Sequence, residues 1–203
     1  LKEMLQTSRS TLREALRVLE QKGLIEIKLG MGGGPVVKAV SPDLVTESLD
    51  LLIRSHQVSL RHIAEFRERV EGDVVTLATE RMTDTDREEL QRLIDIAREF
   101  SGRGSQAVPD FLTADKNLHV FFARMTGNPI YISILKTIHE NIRRYYDEFL
   151  VMEAQVMQEN MCDLENIAEA MANGQASMAG DIARSHVRRF NQHMETREQQ
   201  NKR

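Results

Sequence analysis

Asp115 and His119 stand four residues apart in a stretch where Leu112, Leu118, Phe122 and Ala123 recur at helical spacing. A helix there carries a carboxylate and an imidazole one turn apart on its packed face. His186 shares a stripe with Ala179, Ile182, Ala183 and Phe190. An ionisable group turned into a core is costly unless it is hydrogen-bonded, paired or bound to a metal ion, and these residue types allow all three. Arg67 poses the same problem on the stripe Leu60, Ile63, Ala64, Val70, Val74, Leu77 and Ala78. Glu71, one turn on, is its structural answer. A bidentate clamp on a ligand's carboxylate is its functional one, and the two are compatible. Arg143, Arg144 and Tyr145 could serve the same cavity, or the two arginines could form a solvated basic face.

A second group of candidates lies near the start of the chain. Ser8 reads as an N-cap ahead of Leu12, Ala15, Leu16 and Leu19, whose spacing gives one packing face. Arg9, Ser10, Thr11 and Arg13 crowd the leading end and the free side, where a helix entering the major groove meets phosphates and guanine acceptors. Gly23 ends that helix. Leu24 to Lys28 alternates as a half-buried strand does, Gly30 to Pro35 turns, and Val36 to Lys38 returns. The alternative is an amphipathic helix with an ordinary basic surface.

Bulk composition narrows the classes without naming one. The net charge is −4, but residues 1–38 hold seven Lys/Arg and four Asp/Glu, leaving +3 there and −7 in the rest. A basic head on an acidic body suits a protein that touches DNA at one end. Cys162 is the sole cysteine, so no intrachain disulfide forms, and no apolar run reaches membrane-spanning length. A cytoplasmic protein is expected. Enzyme signatures are poor: the glycine run at 30–34 lacks the Gly-Lys-Ser/Thr ending of a phosphate loop. Cys162 lies beside Asp163 and Glu165, a setting that does not activate a thiolate. A metal hydrolase on Asp115, His119 and His186 is the strongest enzymatic alternative.

The elements that must position these residues are mainly helical. Ser41-Pro42 is an N-cap followed by proline and opens a linker helix to about Arg54. The Arg67 stripe continues to about Met82, and Thr85-x-x-Glu88 reads as a capping box for the next helix. A further helix runs from about Pro109 to Thr126. Gly127-Asn128-Pro129 stops it and starts another that reaches roughly Val151, and two more follow, split at Gly174.

The run Ser8-Arg-Ser-Thr-Leu-Arg-Glu-Ala-Leu16, with Leu19, Gly23-Leu-Ile25 and a glycine-rich wing, resembles the winged helix-turn-helix of GntR-family transcription regulators. The resemblance implies operator contacts by Ser8, Arg9, Ser10, Arg13 and Gly30. Gln6 departs from it by standing where the family has a turn glycine, and Met31-Gly32-Gly33-Gly34 makes a long glycine run. The chain is also expected to begin inside the motif's second helix, so that DNA binding needs the first helix restored. Arg67-x3-Glu71, Asp115-x3-His119, Gly127-Asn128-Pro129, Ile167 to Gly174 and His186 resemble the FCD effector domain of the FadR subfamily. Many such domains hold a divalent metal through one Asp and three His, and the metal helps to bind a small carboxylate. The resemblance therefore implies Asp115, His119 and His186 as metal ligands, for Zn, Ni or Mn. Leu164 falls where the third histidine belongs, which leaves an incomplete site; Asp163 and Glu165 are possible substitutes that helical geometry turns away. Some members of the subfamily lack the metal and bind acyl-coenzyme A instead, so that loss of the metal leaves sensing open.

The expected architecture is mainly α. Residues 1–40 form a partial winged helix-turn-helix, 41–57 a linker helix, and 58–203 an all-helical bundle of six or seven helices for effector binding and dimerisation. The expected function is that of a homodimeric repressor on a palindromic operator, controlled by an organic-acid effector held by Arg67, Glu71 and Arg144. The alternative is a helical metabolite- or acyl-coenzyme A-binding protein without a DNA role.

Overall fold

A computed structural model describes residues 6–39, 43–55, 57–143, 145–146 and 152–201. The chain divides into two compact units, Leu1–Ser48 and Leu49–Arg203.

In the first unit α1, Arg9–Gln21, starts at Ser8, whose Oγ accepts the Thr11 backbone N–H at 3.1 Å. The N-cap was legible because a serine hydroxyl satisfies a first-turn donor that the helix cannot. Gly23 takes φ 67°, closing the helix in the left-handed region that glycine enters without cost. Strands β1, Ile25–Lys28, and β2, Gly34–Val37, pair antiparallel with Ile25 opposite Val37 and Lys28 opposite Gly34. The return strand thus starts two residues earlier than the sequence suggests, because Pro35 can occupy an edge where its missing donor is not needed. The wing turn is tight: Gly33 N–H donates to Gly30 O at 3.0 Å, and a side chain at Gly33 would overlap Lys28 O. Gln6 has φ 46°, the left-handed conformation for which the family's glycine is suited.

Helix α2 is Asp43–Arg54; the cap expected for it, Ser41, lies outside the described residues. In the second unit follow α3 (Leu60–Arg81), α4 (Asp84–Gly102), a short 3-10 turn (Gly104–Ala107), α5 (Val108–Met125), α6 (Pro129–Asn141), α7 (Ala154–Ala172) and α8 (Ala176–Asn201). The capping box of α4 is built by Thr83 and Asp86 rather than Thr85 and Glu88: Thr83 Oγ1 accepts from Asp86 N–H, and Asp86 Oδ2 accepts from Thr83 N–H. Both pairs have the right spacing, and the earlier one wins because α3 already ends at Arg81. Gly127 at φ 64° and Asn128, whose Oδ1 accepts from Ile130 N–H, turn α5 into α6 as read. Helix α6 ends at Asn141, and residues 147–151 of the longer helix expected there lie outside the described residues.

The pairing of α3 with α8 is the most extensive in the unit. Gly72 and Gly180 face each other across it, and a Cβ on Gly180 would stand 2.7 Å from Gly72 O. One apolar core runs through all these helices, with Phe111, Leu118, Leu135, Ile142, Leu164 and Ile167 at its centre. Into this core α3, α5, α6 and α8 carry ionisable side chains.

Candidate metal centre and the first helix

Helix α5 places Asp115 and His119 one turn apart, and α8 brings His186 against them; all three are at most 3% exposed. His119 Nε2 lies 3.3 Å from His186 Nε2 and 3.6 Å from Asp115 Oδ1, and His186 Nε2 lies 3.8 Å from the same oxygen. A triangle with these sides has its centre about 2.1 Å from each corner, the length of a zinc–nitrogen or zinc–carboxylate bond.

The far side of each ring explains why the near side converges. His119 Nδ1 is in contact with Glu71 Oε2, and His186 Nδ1 is 3.4 Å from Asp163 Oδ2. A carboxylate only accepts, so the proton of a neutral His186 ring belongs on Nδ1; His119 Nδ1 meets Glu71 as an ion-pair contact without hydrogen-bond geometry, and a proton there likewise leaves Nε2 as a lone pair. Asp115 Oδ1 has no hydrogen-bond partner among the described residues. Three acceptors therefore meet at one buried point, an arrangement that a divalent cation or an extra proton relieves. The donor set, two imidazoles and a carboxylate, fits Zn and other first-row ions.

The outer carboxylates are themselves held. Arg67 Nε donates to Glu71 Oε1 at 2.5 Å, and His139 Nε2 approaches the same oxygen at 3.2 Å. Asp163 is gripped by Arg189. Burial opposes the charge on Glu71, yet Arg67, His119 and His139 outweigh it and hold the carboxyl well below the usual range. For His119 burial also disfavours charge, but Glu71 and Asp115 hold its pKa up to about 9. Without a metal, then, the relieving charge is a proton on His119. Burial dominates at His139 and pushes it down to about 4, with Arg67 adding to the effect.

Asp115, His119 and His186 thus meet, and Arg67 with Glu71 stands directly behind them. Leu164 is fully buried, in the apolar core. Neither acidic neighbour takes its place: Asp163 backs His186 from outside, and Glu165 pairs with Arg98 on the surface. Arg144 lies outside the described residues; Arg143 is exposed, and Tyr145 donates its hydroxyl to Val58 O at 2.8 Å. The residue that sequence reasoning missed is His139, stacked on His119 with ring centroids 4.7 Å apart. Its signal was present, since His139 continues the buried stripe of Leu135, Ile142 and Tyr146.

In the winged unit Ser8, Arg9, Ser10, Thr11, Arg13 and Gly30 are all exposed. Ser10 and Thr11 hydroxyls bond the Ser8 oxygen at 2.7 and 2.8 Å, grouping three hydroxyls at the helix N-terminus beside two guanidinium side chains. Such an end offers donors, positive dipole and positive charge to phosphate.

The FCD domain matches residues 62–189, which include every member of the buried centre. The chain is 31% identical over 129 residues to the HTH-type transcriptional repressor NanR of Cronobacter sakazakii, covering 62% of this chain but 47% of that protein. It is 26% identical over 193 residues to the HTH-type transcriptional regulator LutR of Bacillus subtilis, covering 92% of this chain and 84% of that one. Among solved structures, a Streptococcus agalactiae GntR protein superposes with a TM-score of 0.65 at 23% identity, over 94% of this chain and 85% of its own. Matched over more than half of its length by that domain, and with helix-turn-helix regulators as its relatives, the chain belongs to the FCD domain family.

Proposed function

We propose that the protein is a DNA-binding transcription regulator whose operator affinity responds to a small carboxylate sensed in the helical unit. One observation carries the reading: a chain with an FCD domain also presents an exposed, capped, cation-bearing α1 followed by a wing. Arg9 and Arg13, with Ser8, Ser10, Thr11 and Gly30, supply phosphate and base-edge contacts. A homodimer would place two such helices on half-sites of a palindrome, as two-fold operators require. A repressor acting in the cytoplasm accords with the relatives, which are regulators rather than enzymes.

In the helical unit Asp115, His119 and His186 would hold a divalent ion, with Glu71 and Asp163 orienting the two imidazoles. A bound ion there would supply a Lewis-acidic anchor for an effector carboxylate. Arg67 and Glu71 set the charge of that floor, and Arg67 Nη1, buried and without a hydrogen-bond partner among the described residues, is a donor still to be used.

The test is operator selection from randomised duplexes by the full-length protein. We expect one palindromic site, bound with a salt slope that falls by about one when Arg13 becomes alanine. An Arg13→Ala protein with unchanged affinity and slope removes that residue from the interface. Failure to enrich any site favours the alternative of a metabolite-binding protein without a DNA role.

A further inference from the structure

The triad is at most 3% exposed, so an ion that binds there must first pass through the surface of the bundle. A cavity of about 20 Å³ between α7 and α8 has one triad member, His186, in its wall. Glu159, Asn160, Asp163, Arg189 and His193 also line it. Asn160 is the decisive residue. It is 5% exposed, yet neither its Oδ1 nor its Nδ2 has a hydrogen-bond partner among the described residues. A buried carboxamide with nothing to bond is destabilising, and such a group marks a place where something else is held.

The other lining groups give that place its chemistry. Glu159 and Asp163, one turn apart on α7, offer carboxylate oxygens, Asn160 a carbonyl oxygen and His193 an imidazole, all of them ligand types for a divalent cation. Arg189 already fills the place of a cation there. Its Nε donates to Asp163 Oδ2 at 3.2 Å and its Nη2 to Oδ1. Those bonds, and to a smaller extent the charge of Glu159, hold its pKa above the ordinary arginine value. The Arg189 side chain is 50% exposed, so it can swing outward without crossing the core. The space left beside it has room for one water or one bare ion, and an ion that keeps several waters enters only when the guanidinium leaves.

Resting on the reading above that Asp115, His119 and His186 hold a divalent ion, we infer that this cavity is a transit site for that ion: Glu159 and Asp163 draw in the hydrated cation, Asn160 Oδ1 replaces part of its water, and Arg189 is the counter-charge it displaces. A transit site lies on the path in both directions. Changing it therefore alters uptake and release together and leaves the equilibrium at the triad in place.

Stopped-flow zinc uptake by the chelator-treated full chain, and zinc release into excess chelator, test the inference. Asn160→Leu puts an apolar side chain of similar size in the cavity. It should slow uptake and release each by about tenfold, with the equilibrium zinc affinity unchanged and the melting temperature no lower. Arg189→Gln should speed uptake by about tenfold as well as release. The uptake rate is the decisive reading there, because losing the brace on Asp163 would by itself speed release alone. Unchanged rates in Asn160→Leu, or an Arg189→Gln protein that releases zinc faster without taking it up faster, overturns the transit site and leaves the metal centre standing. A wild type that takes up no zinc overturns both.

Discussion

Each imidazole of the buried centre has one nitrogen turned inward and the other turned to a carboxylate, and that division of labour makes the outer residues measurable. Orienting carboxylates of this kind typically contribute 10–100-fold in metal affinity. Asp163→Asn is therefore expected to weaken zinc binding by about that factor while leaving near one equivalent of metal bound at saturation, as read by competition with a chromophoric chelator. Unchanged affinity would mean that Asp163 serves only Arg189. The protons argue in the same direction. In the metal-free protein His119, held up to about 9 against an ordinary 6.5, favours the folded state when charged. That stabilisation is complete below pH 6.5 and lost as the pH rises through 9. His139, at about 4, favours the fold when neutral, so its contribution is present above 6.5 and lost as the pH falls through 4. Melting temperatures of chelated protein should accordingly peak near pH 6.5 and fall on both sides. A flat limb between 6.5 and 9 would contradict a proton on His119. Metal must displace that proton, so uptake at pH 7 should release about one proton per ion, read by calorimetry in buffers of different ionisation enthalpy.

The helices that hold these residues depend on small side chains at a few points. Gly180 lies so close to α3 that a methyl group there would overlap Thr76 Oγ1 and crowd Gly72 O at 2.7 Å. Since Gly72 O is backbone, the helices must part, and Gly180→Ala should cost about 1–3 kcal/mol in chemical unfolding. Thr76→Ala in that background should recover only part, because the carbonyl remains. At Gln6 the sign reverses: its φ of 46° is strained for a side chain, so Gln6→Gly should raise stability by up to about 1 kcal/mol. Element types were readable because caps and stripes are local: Ser8, Gly23, Gly127 and Pro129 each act within a few residues. Register between two valid signals was not, as Thr83 and Thr85 show, because the end of α3 decides it. Of the centre, Asp115, His119, His186 and the Arg67–Glu71 pair were legible from stripes and spacing. His139 lay on a readable stripe and Asp163 was in view as a ligand substitute, but their roles behind the centre appear only in three dimensions, since their partners Glu71 and His186 are 68 and 23 residues away.

For the whole molecule, charge and linkage set what must be observed. Excess positive charge lies in residues 1–38 and excess negative charge in the rest, so operator binding should follow the few cations of α1 and the wing rather than the net charge of −4. If the helical unit controls that binding, the control is a coupling free energy and acts in both directions. An effector or metal ion that changes operator affinity by a given factor must have its own affinity changed by the same factor when operator DNA is bound. The buried triad supplies the variant that isolates this effect. His186→Ala removes from α8 one of the three proposed ligands while leaving α1 and its cations untouched, so zinc should cease to alter operator affinity although the metal-free protein still binds the site. Parallel measurements, zinc affinity with and without operator and operator affinity with and without zinc, should give equal ratios in the wild type and ratios near one in the variant. A wild-type ratio near one, with zinc bound at one equivalent, would make the centre a structural clasp of the bundle rather than part of a sensor.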